Sequence, residues 1–393
     1  MIACGLDRLL ADLAPLRGRR FGLLAHGAAL TAELVPAHLA LAAAGRPAAR
    51  LFGPEHGYYG VEQDMVGARD AVDPWTGAPI VSLYGGDASS LRPRAEAWVD
   101  LDLLVVDLQD IGSRYYTFAA TAVWAAEAAL AAGLEVWILD RPNPLGGETL
   151  EGPLVAAGYE SFVSAFRLPV RHGLTLGELA HLELARAGAT IAGLQIVTIA
   201  GWQRGQLWPE LDRPWLAPSP NMPDFATALL YPGLCLVEAT ELSEGRGTTR
   251  PFRLVGAPGV DPPAVASQLA SLGELGVAAI PTFFRPWHQK HRGEVCGGVE
   301  LAVIEPARVA GLRVGVEVLA AFARAAPAAF RWRVAPYEFV ADRPAIDLLT
   351  GSDALRRALD AGHGVDEWIA TWEADERAFR DERRDALLYT EAA

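Results

Sequence analysis

Across its first two-thirds the chain alternates short, nearly unbroken apolar runs with alanine- and leucine-rich stretches of helical period, and this alternation constrains the fold more than any other feature. The apolar runs predict strands at 20–25, 49–52, 80–84, 103–107, 135–139 and 195–199, with helices at 34–44, 116–132 and 176–187. Strands built of Leu, Val and Ile throughout, rather than at every second position, need helices over both faces of their sheet. Strand–helix alternation then makes that sheet parallel and doubly wound. One helix start is clearly signed: Thr175-Leu176-Gly177-Glu178 is a capping box, in which hydroxyl and carboxylate each satisfy a free backbone amide.

From 207 to 258 the texture changes to Pro, Gly, Ser, Thr and Asn, with one short helical segment at 225–230. Trp202, Trp208 and Trp215 argue that this stretch is ordered, and long ordered connections in compact domains are usually functional. Segments at 262–272, 277–284, 299–304, 312–325 and 330–334 suggest a smaller α/β unit, and 365–388 the longest closing helix. At 393 residues two domains are expected. The fold class is therefore α/β: a Rossmann-like doubly wound parallel sheet domain at residues 1–250 and a smaller C-terminal α/β domain at 251–393.

The net charge of −14 makes nucleic acid a poor partner, since such binding runs on basic patches. No apolar run has the length of a membrane span, and the charges of Asp7 and Arg8 fall where a signal peptide needs its apolar centre, so a cytoplasmic protein without a membrane partner is expected. Cys4, Cys235 and Cys296 form no Cys-x-x-Cys pair. Lys290 is the only lysine. His288 and His291 stand three apart without an accompanying acidic motif, so no metal and no cofactor is expected. Neither Gly-x-Ser-x-Gly nor Gly-x-Gly-x-x-Gly occurs where a hydrolase elbow or a dinucleotide site needs it.

In an open α/β sheet, ligands bind beyond the carboxyl ends of the strands. Three of the predicted strands run into polar loops there: Gly53-Pro54-Glu55-His56-Gly57, Asp107-Leu108-Gln109-Asp110-Ile111-Gly112-Ser113-Arg114-Tyr115-Tyr116, and Asp140-Arg141-Pro142-Asn143-Pro144. Together they offer acids, hydrogen bonders and rings, the set that sugar chemistry uses. Glu55, in a glycine-bounded turn, is the candidate general acid, with His56 beside it. Gln109, Asp110 and Arg114 are placed to reach a ligand, and one of Tyr115 and Tyr116 to face it. Asp107 and Asp140 end apolar strands and could equally anchor their loops. Further on, His172 precedes the capped helix, Asn221 lies in turn chemistry at Ser219-Pro220-Asn221-Met222-Pro223, and the segment 238–248 offers Glu244 as a second carboxylate and Arg246 as a partner for a substrate carboxylate.

These motifs resemble those of the exo-β-N-acetylmuramidase family, NamZ-like glycoside hydrolases long carried as a domain of unknown function. The likeness runs in order through Pro54-Glu55-His56-Gly57, the segment 107–117, Leu139-Asp140-Arg141-Pro142-Asn143-Pro144, Glu151-Gly152-Pro153-Leu154 and His172-Gly173-Leu174-Thr175-Leu176-Gly177-Glu178. It continues through Ser219-Pro220-Asn221-Met222-Pro223, Tyr231-Pro232-Gly233, the segment 243–248 and Lys290-His291. Glu238-Ala239-Thr240-Glu241 departs from the family's Glu-Gly-Thr-Asn. The resemblance implies a Rossmann-like catalytic domain, a smaller domain closing a cleft, and release of β-1,4-linked N-acetylmuramic acid from the non-reducing ends of peptidoglycan fragments during cell-wall recycling. The family's glutamate falls on Glu55.

The expected reaction is protonation of the glycosidic oxygen by Glu55. Assistance at the anomeric carbon would come either from the substrate's 2-acetamido oxygen, steered by Asp110 or Tyr116, or from water activated by Glu244. The lactyl carboxylate calls for Arg141 or Arg246, and Asn143 completes the polar set. Two other readings stay open: a sugar-binding protein that does not cleave, and a metal-dependent amidase built on His56, Asp107 and His172.

Overall fold

The computed structural model describes residues 2–189 and 191–389, and a seven-stranded sheet forms its centre. Its strands are β1 (Phe21–Ala25), β2 (Arg50–Gly53), β3 (Ala71–Val72), β4 (Pro79–Ser82), β5 (Leu103–Asp107), β6 (Glu135–Leu139) and β7 (Leu194–Val197). They lie in the order β3-β4-β2-β1-β5-β6-β7, all parallel except the short β3 at one edge. The chain steps outward from β1 to β2 and β4, then returns to β5 and continues on the other side. The strand order thus switches between β1 and β5, the place where open α/β sheets leave a crevice.

Alternate residues of the central strands serve two cores. Leu104, Val106, Val136 and Ile138 join the core that holds the helix Phe118–Ala131. Their neighbours Leu103, Val105, Trp137 and Leu139 join the opposite core with Leu6, Leu9 and Leu41 from the helices Gly5–Ala11 and Ala37–Ala43. Burial on both faces is what removes polar residues from these strands, at roughly 1.5–3 kcal/mol for each large apolar side chain. The capping box forms as predicted: Thr175 Oγ1 accepts from Glu178 N at 3.2 Å, and the Glu178 carboxylate accepts from Thr175 N at 3.0 Å.

Helix starts are the least accurate of the sequence expectations. The segment predicted from 34 becomes helical only at Ala37, because Leu34 sits at φ 64° and Pro36 precedes the first turn. The segment predicted from 116 starts at Phe118, because Tyr116 N closes a turn onto Ser113 O. Likewise β7 ends at Val197, where Ile199 N turns to the Tyr389 hydroxyl.

The second sheet is antiparallel, in the order β8-β10-β9, from β8 (Leu254–Ala257), β9 (Val277–Phe284) and β10 (Cys296–Val303). The segment 330–334 does not form a strand and contributes a single bridge, Thr240 to Trp332. The closing helix is Asp366–Glu382, shorter than the predicted 365–388. Among the described residues no helix is long and apolar enough to cross a membrane.

The helix Phe225–Leu234, which leads out of the first sheet's core, crosses the helix Gly311–Ala325 at three glycines. A Cβ on Gly233 would stand 2.0 Å from Gly311 O and 2.5 Å from Gly315 N. Ala normally favours a helix over Gly by about 1 kcal/mol, but here the intruding methyl meets backbone that cannot rotate away. Gly233→Ala should therefore lower stability by about 3 kcal/mol or more, read as a lower urea midpoint at unchanged slope. An unchanged midpoint would mean that the two helices slide apart freely.

Candidate active site

A polar cavity opens beyond the carboxyl ends of β2 and β5, on either side of β1. It is lined by Glu55, His56, Tyr116, Asn221 and Arg246, which the sequence had singled out, and also by Asp64, Thr117, Glu238, Tyr337 and Glu338. The space in it for the centre of a water-sized molecule is about 30 Å³, and the cavity is partly open to solvent.

Glu55 is carried on a tight turn directly after β2, closed by Gly57 N on Pro54 O at 3.0 Å. His56 occupies the third position of that turn at φ 70°, a conformation usually left to Gly. The strain fixes the direction of Glu55, whose carboxylate is buried and accepts from Thr117 Oγ1 at 2.7 Å. His56 is held by Nδ1 against Glu62 O at 2.9 Å. Both tyrosines, not one, line the cavity; the Tyr115 hydroxyl is spent within the protein, donating to Pro232 O at 2.7 Å. Tyr116 lies against Phe118 and Tyr231, and its buried hydroxyl has Ser219 beside it but makes no well-formed hydrogen bond.

Carboxylate oxygens of Glu55, Asp64 and Glu338 lie within 4.8 Å of one another. Each has a partner from the chain: Thr117 for Glu55, Arg246 for Asp64 at 3.2 Å, and the Tyr84 hydroxyl for Glu338 at 3.0 Å. Glu338 arrives from far along the chain on a two-residue turn in which Tyr337 and Val340 exchange both backbone bonds at 2.9 Å. Glu338 and Phe339 between them have φ 45° and 67°. Such a turn prefers Asn-Gly, and side chains this bulky cost about 1 kcal/mol or more apiece there.

Arg246 lines the same cavity, over the Phe252 ring at 4.8 Å. Its guanidinium reaches Asp64 at 3.2 Å, Glu238 at 2.6 Å and Glu244 at 3.4 Å. It is therefore occupied within the protein and not held open for a substrate anion. Lys290 takes the other Glu244 oxygen at 3.0 Å and donates to Val237, Glu238 and Leu242 carbonyls. The two cations hold the Glu244 carboxyl below its ordinary range despite burial. Asp64 and Glu238 are pushed the other way, chiefly by burial, with Arg246 opposing.

The remaining expected residues face away from the cavity. Arg114 is buried and spends its guanidinium on the carbonyls of Pro153, Leu168 and Leu349. Arg141 grips both Asp107 oxygens, at 2.5 and 2.9 Å, which gives Asp107 its structural role. Gln109 ties its own loop to Pro142 O at 3.0 Å, and Asn143 bonds Leu174 O at 2.9 Å. Asp140 accepts from Thr175, Gly177 and Tyr389. Asp110 and His172 form a buried couple 3.8 Å apart just behind Tyr116. Burial pushes Asp110 up to about 7, and burial with Arg383 and Arg114 holds His172 down to about 3. The donors of the amidase reading are thus not gathered: His56 lines the cavity, while Asp107 and His172 do not.

The exo-beta-N-acetylmuramidase NamZ N-terminal profile matches residues 21–226, and the C-terminal profile matches 229–389. A peptidoglycan beta-N-acetylmuramidase NamZ of Bacillus subtilis (strain 168) is 35% identical over 392 residues, covering 99% of this chain and 91% of that one. Two crystal structures of DUF1343-family proteins from Bacteroides fragilis share the fold. One has a TM-score of 0.87 at 29% identity over 99% of both chains, and the other 0.77 at 25% over 100% of both.

Proposed function

Because the chain belongs to the exo-β-N-acetylmuramidase NamZ family, with both parts of the family matched in order, we propose that it is a glycosidase acting on peptidoglycan. In this reading it releases β-1,4-linked N-acetylmuramic acid from non-reducing ends, with Glu55 as the general acid. The observation that carries the reading is Glu55 itself, a buried carboxyl group lining a polar cavity at the strand ends and crowded by other carboxyl groups.

As the glycosidic bond breaks, its electron pair passes to the leaving oxygen, which takes the proton of Glu55. Glu244 is bound to Lys290 and Arg246 and is a poor base for water. Tyr116 is better placed to act at the anomeric carbon: its unsatisfied hydroxyl on the cavity wall suits the 2-acetamido group, whose oxygen would assist there. Arg141 and Arg246 are both engaged by carboxylates of the protein, so neither is held open to read the lactyl carboxylate. Asn221, which donates to Gln63 at 3.0 Å, also lines the cavity.

The test compares release of nitrophenol from the β-nitrophenyl glycosides of N-acetylmuramic acid and N-acetylglucosamine. Turnover should be confined to the muramic substrate. Equal turnover of both would remove the lactyl group from recognition, and turnover of neither by folded protein would point to the sugar-binding reading instead.

A further inference from the structure

We infer that Glu338 is a positioning residue that shares the catalytic proton with Glu55, so that the two carboxyl groups hold one proton between them at neutral pH. The inference deepens the reading of Glu55 as the acid and rests on it. Its first support is distance: the oxygens of Glu55, Asp64 and Glu338 lie within 4.8 Å of one another, and like charges so close do not all ionise freely. Asp64 has the Arg246 guanidinium at 3.2 Å to oppose the effect of its burial, whereas Glu338 has the Tyr84 hydroxyl at 3.0 Å.

Charge balance points the same way. Five carboxyl groups, Glu55, Asp64, Glu238, Glu244 and Glu338, lie in or just behind the cavity wall, and the cations paired with them are Arg246 and Lys290. Lys290 acts on Glu244, and Arg246 spans Glu238, Glu244 and Asp64, so neither cation is paired with Glu55 or Glu338. Tyr337, next to Glu338, donates its hydroxyl to Glu238 at 2.7 Å, so the turn that carries Glu338 also buttresses Glu238. His56, next to Glu55, is tied to Glu62 O. Burial, with Glu55 and Asp64 alongside, holds the Glu338 carboxyl well above the ordinary range, and the Tyr84 hydroxyl pulls it back.

The backbone adds an independent sign. Glu338 and Phe339 occupy consecutive left-handed positions, and Phe339 packs its ring on Tyr84 at 5.5 Å. A strained turn clamped by its own neighbour is how a protein holds a side chain where the unstrained chain would not put it. In the reaction, the proton leaves Glu55 for the departing sugar oxygen while both carboxyl groups become charged. Their repulsion favours recapture of a proton from the water that adds its hydroxyl to the anomeric carbon, which restores the singly protonated pair.

The experiment is the pH profile of kcat on a disaccharide substrate with the full chain. In Glu338→Gln the repelling charge is gone, so the basic limb should move to lower pH by at least about one unit. Tyr84→Phe removes the donor that favours the charged form, so its basic limb should move to higher pH. A part that is merely structural would not move the two limbs in opposite directions. Profiles superimposable on the parent overturn the inference, as does a folded Glu338→Gln protein inactive at every pH, which would make Glu338 itself the reacting group. If Glu338→Gln does not fold, the Tyr84→Phe limb decides alone. Normal turnover in Glu55→Gln would sink the Glu55 reading separately, whereas an inactive Glu55→Gln beside an unshifted Glu338→Gln sinks only the sharing.

Discussion

Replacing Glu55 with Gln should cut turnover of a muramyl disaccharide by on the order of 10³–10⁴-fold, the contribution of a well-placed general acid. The fold should be unaffected, because the Gln carbonyl oxygen can still accept the 2.7 Å bond from Thr117 Oγ1. The leaving group makes the prediction specific. A sugar alkoxide departs only with a proton, whereas a nitrophenolate is stable enough to leave without one. The same variant should therefore lose far less activity on the nitrophenyl glycoside than on the disaccharide. Equal losses on the two substrates would show that Glu55 does something other than protonate, and near-normal activity on both would remove it from the mechanism.

What the sequence discloses about the fold follows from burial. The strands Leu103–Asp107 and Glu135–Leu139 are read to the residue because they lie between two cores, so their apolar runs end where the strands end. The strand Ala71–Val72 is exposed at a sheet edge and leaves no pattern. The strand Leu254–Ala257 is hidden by Gly256, where a Cβ would strike Gly297 O at 2.2 Å. For the site, the loops after the strands are correctly located, but residue type alone does not say which polar side chain faces out. Arg114, Arg141, Gln109 and Asn143 hold those loops together, whereas Glu55, His56, Tyr116, Asn221 and Arg246 meet in the cavity. The same backbone groups that need capping draw the first set inward. Glu338 carries no local signal, since its meaning comes from Glu55, Asp64 and Tyr84, all distant in sequence. The departure at Glu241 falls on an exposed side chain outside the cavity wall.

Arg246 offers the sharpest contrast between a residue's expected and observed surroundings. If it read a substrate carboxylate, Arg246→Met would raise KM for muramic substrates and leave stability alone. Its bonds to Asp64, Glu238 and Glu244 predict otherwise. Met preserves packing on Phe252 but strands Asp64 and Glu238 without a cation, while Glu244 keeps Lys290. Breaking a buried pair in this way costs about 3–5 kcal/mol. The cost should depend on pH. Burial already raises Asp64 and Glu238 with Arg246 opposing, so its removal raises both further. Below about pH 4 folded and unfolded carboxyl groups are alike protonated, and the variant should lie close to the parent. As pH rises the unfolded chain releases these protons and the folded variant keeps them, so stability falls and the gap widens towards pH 8. Adding Glu238→Gln to Arg246→Met should close part of the gap at pH 8 and little of it at pH 4. Urea midpoints across that range measure it. A gap that is constant with pH and below about 1 kcal/mol would mean that Arg246 serves mainly by packing, and the crowding of carboxyl groups around Glu55 would then need another source of balance.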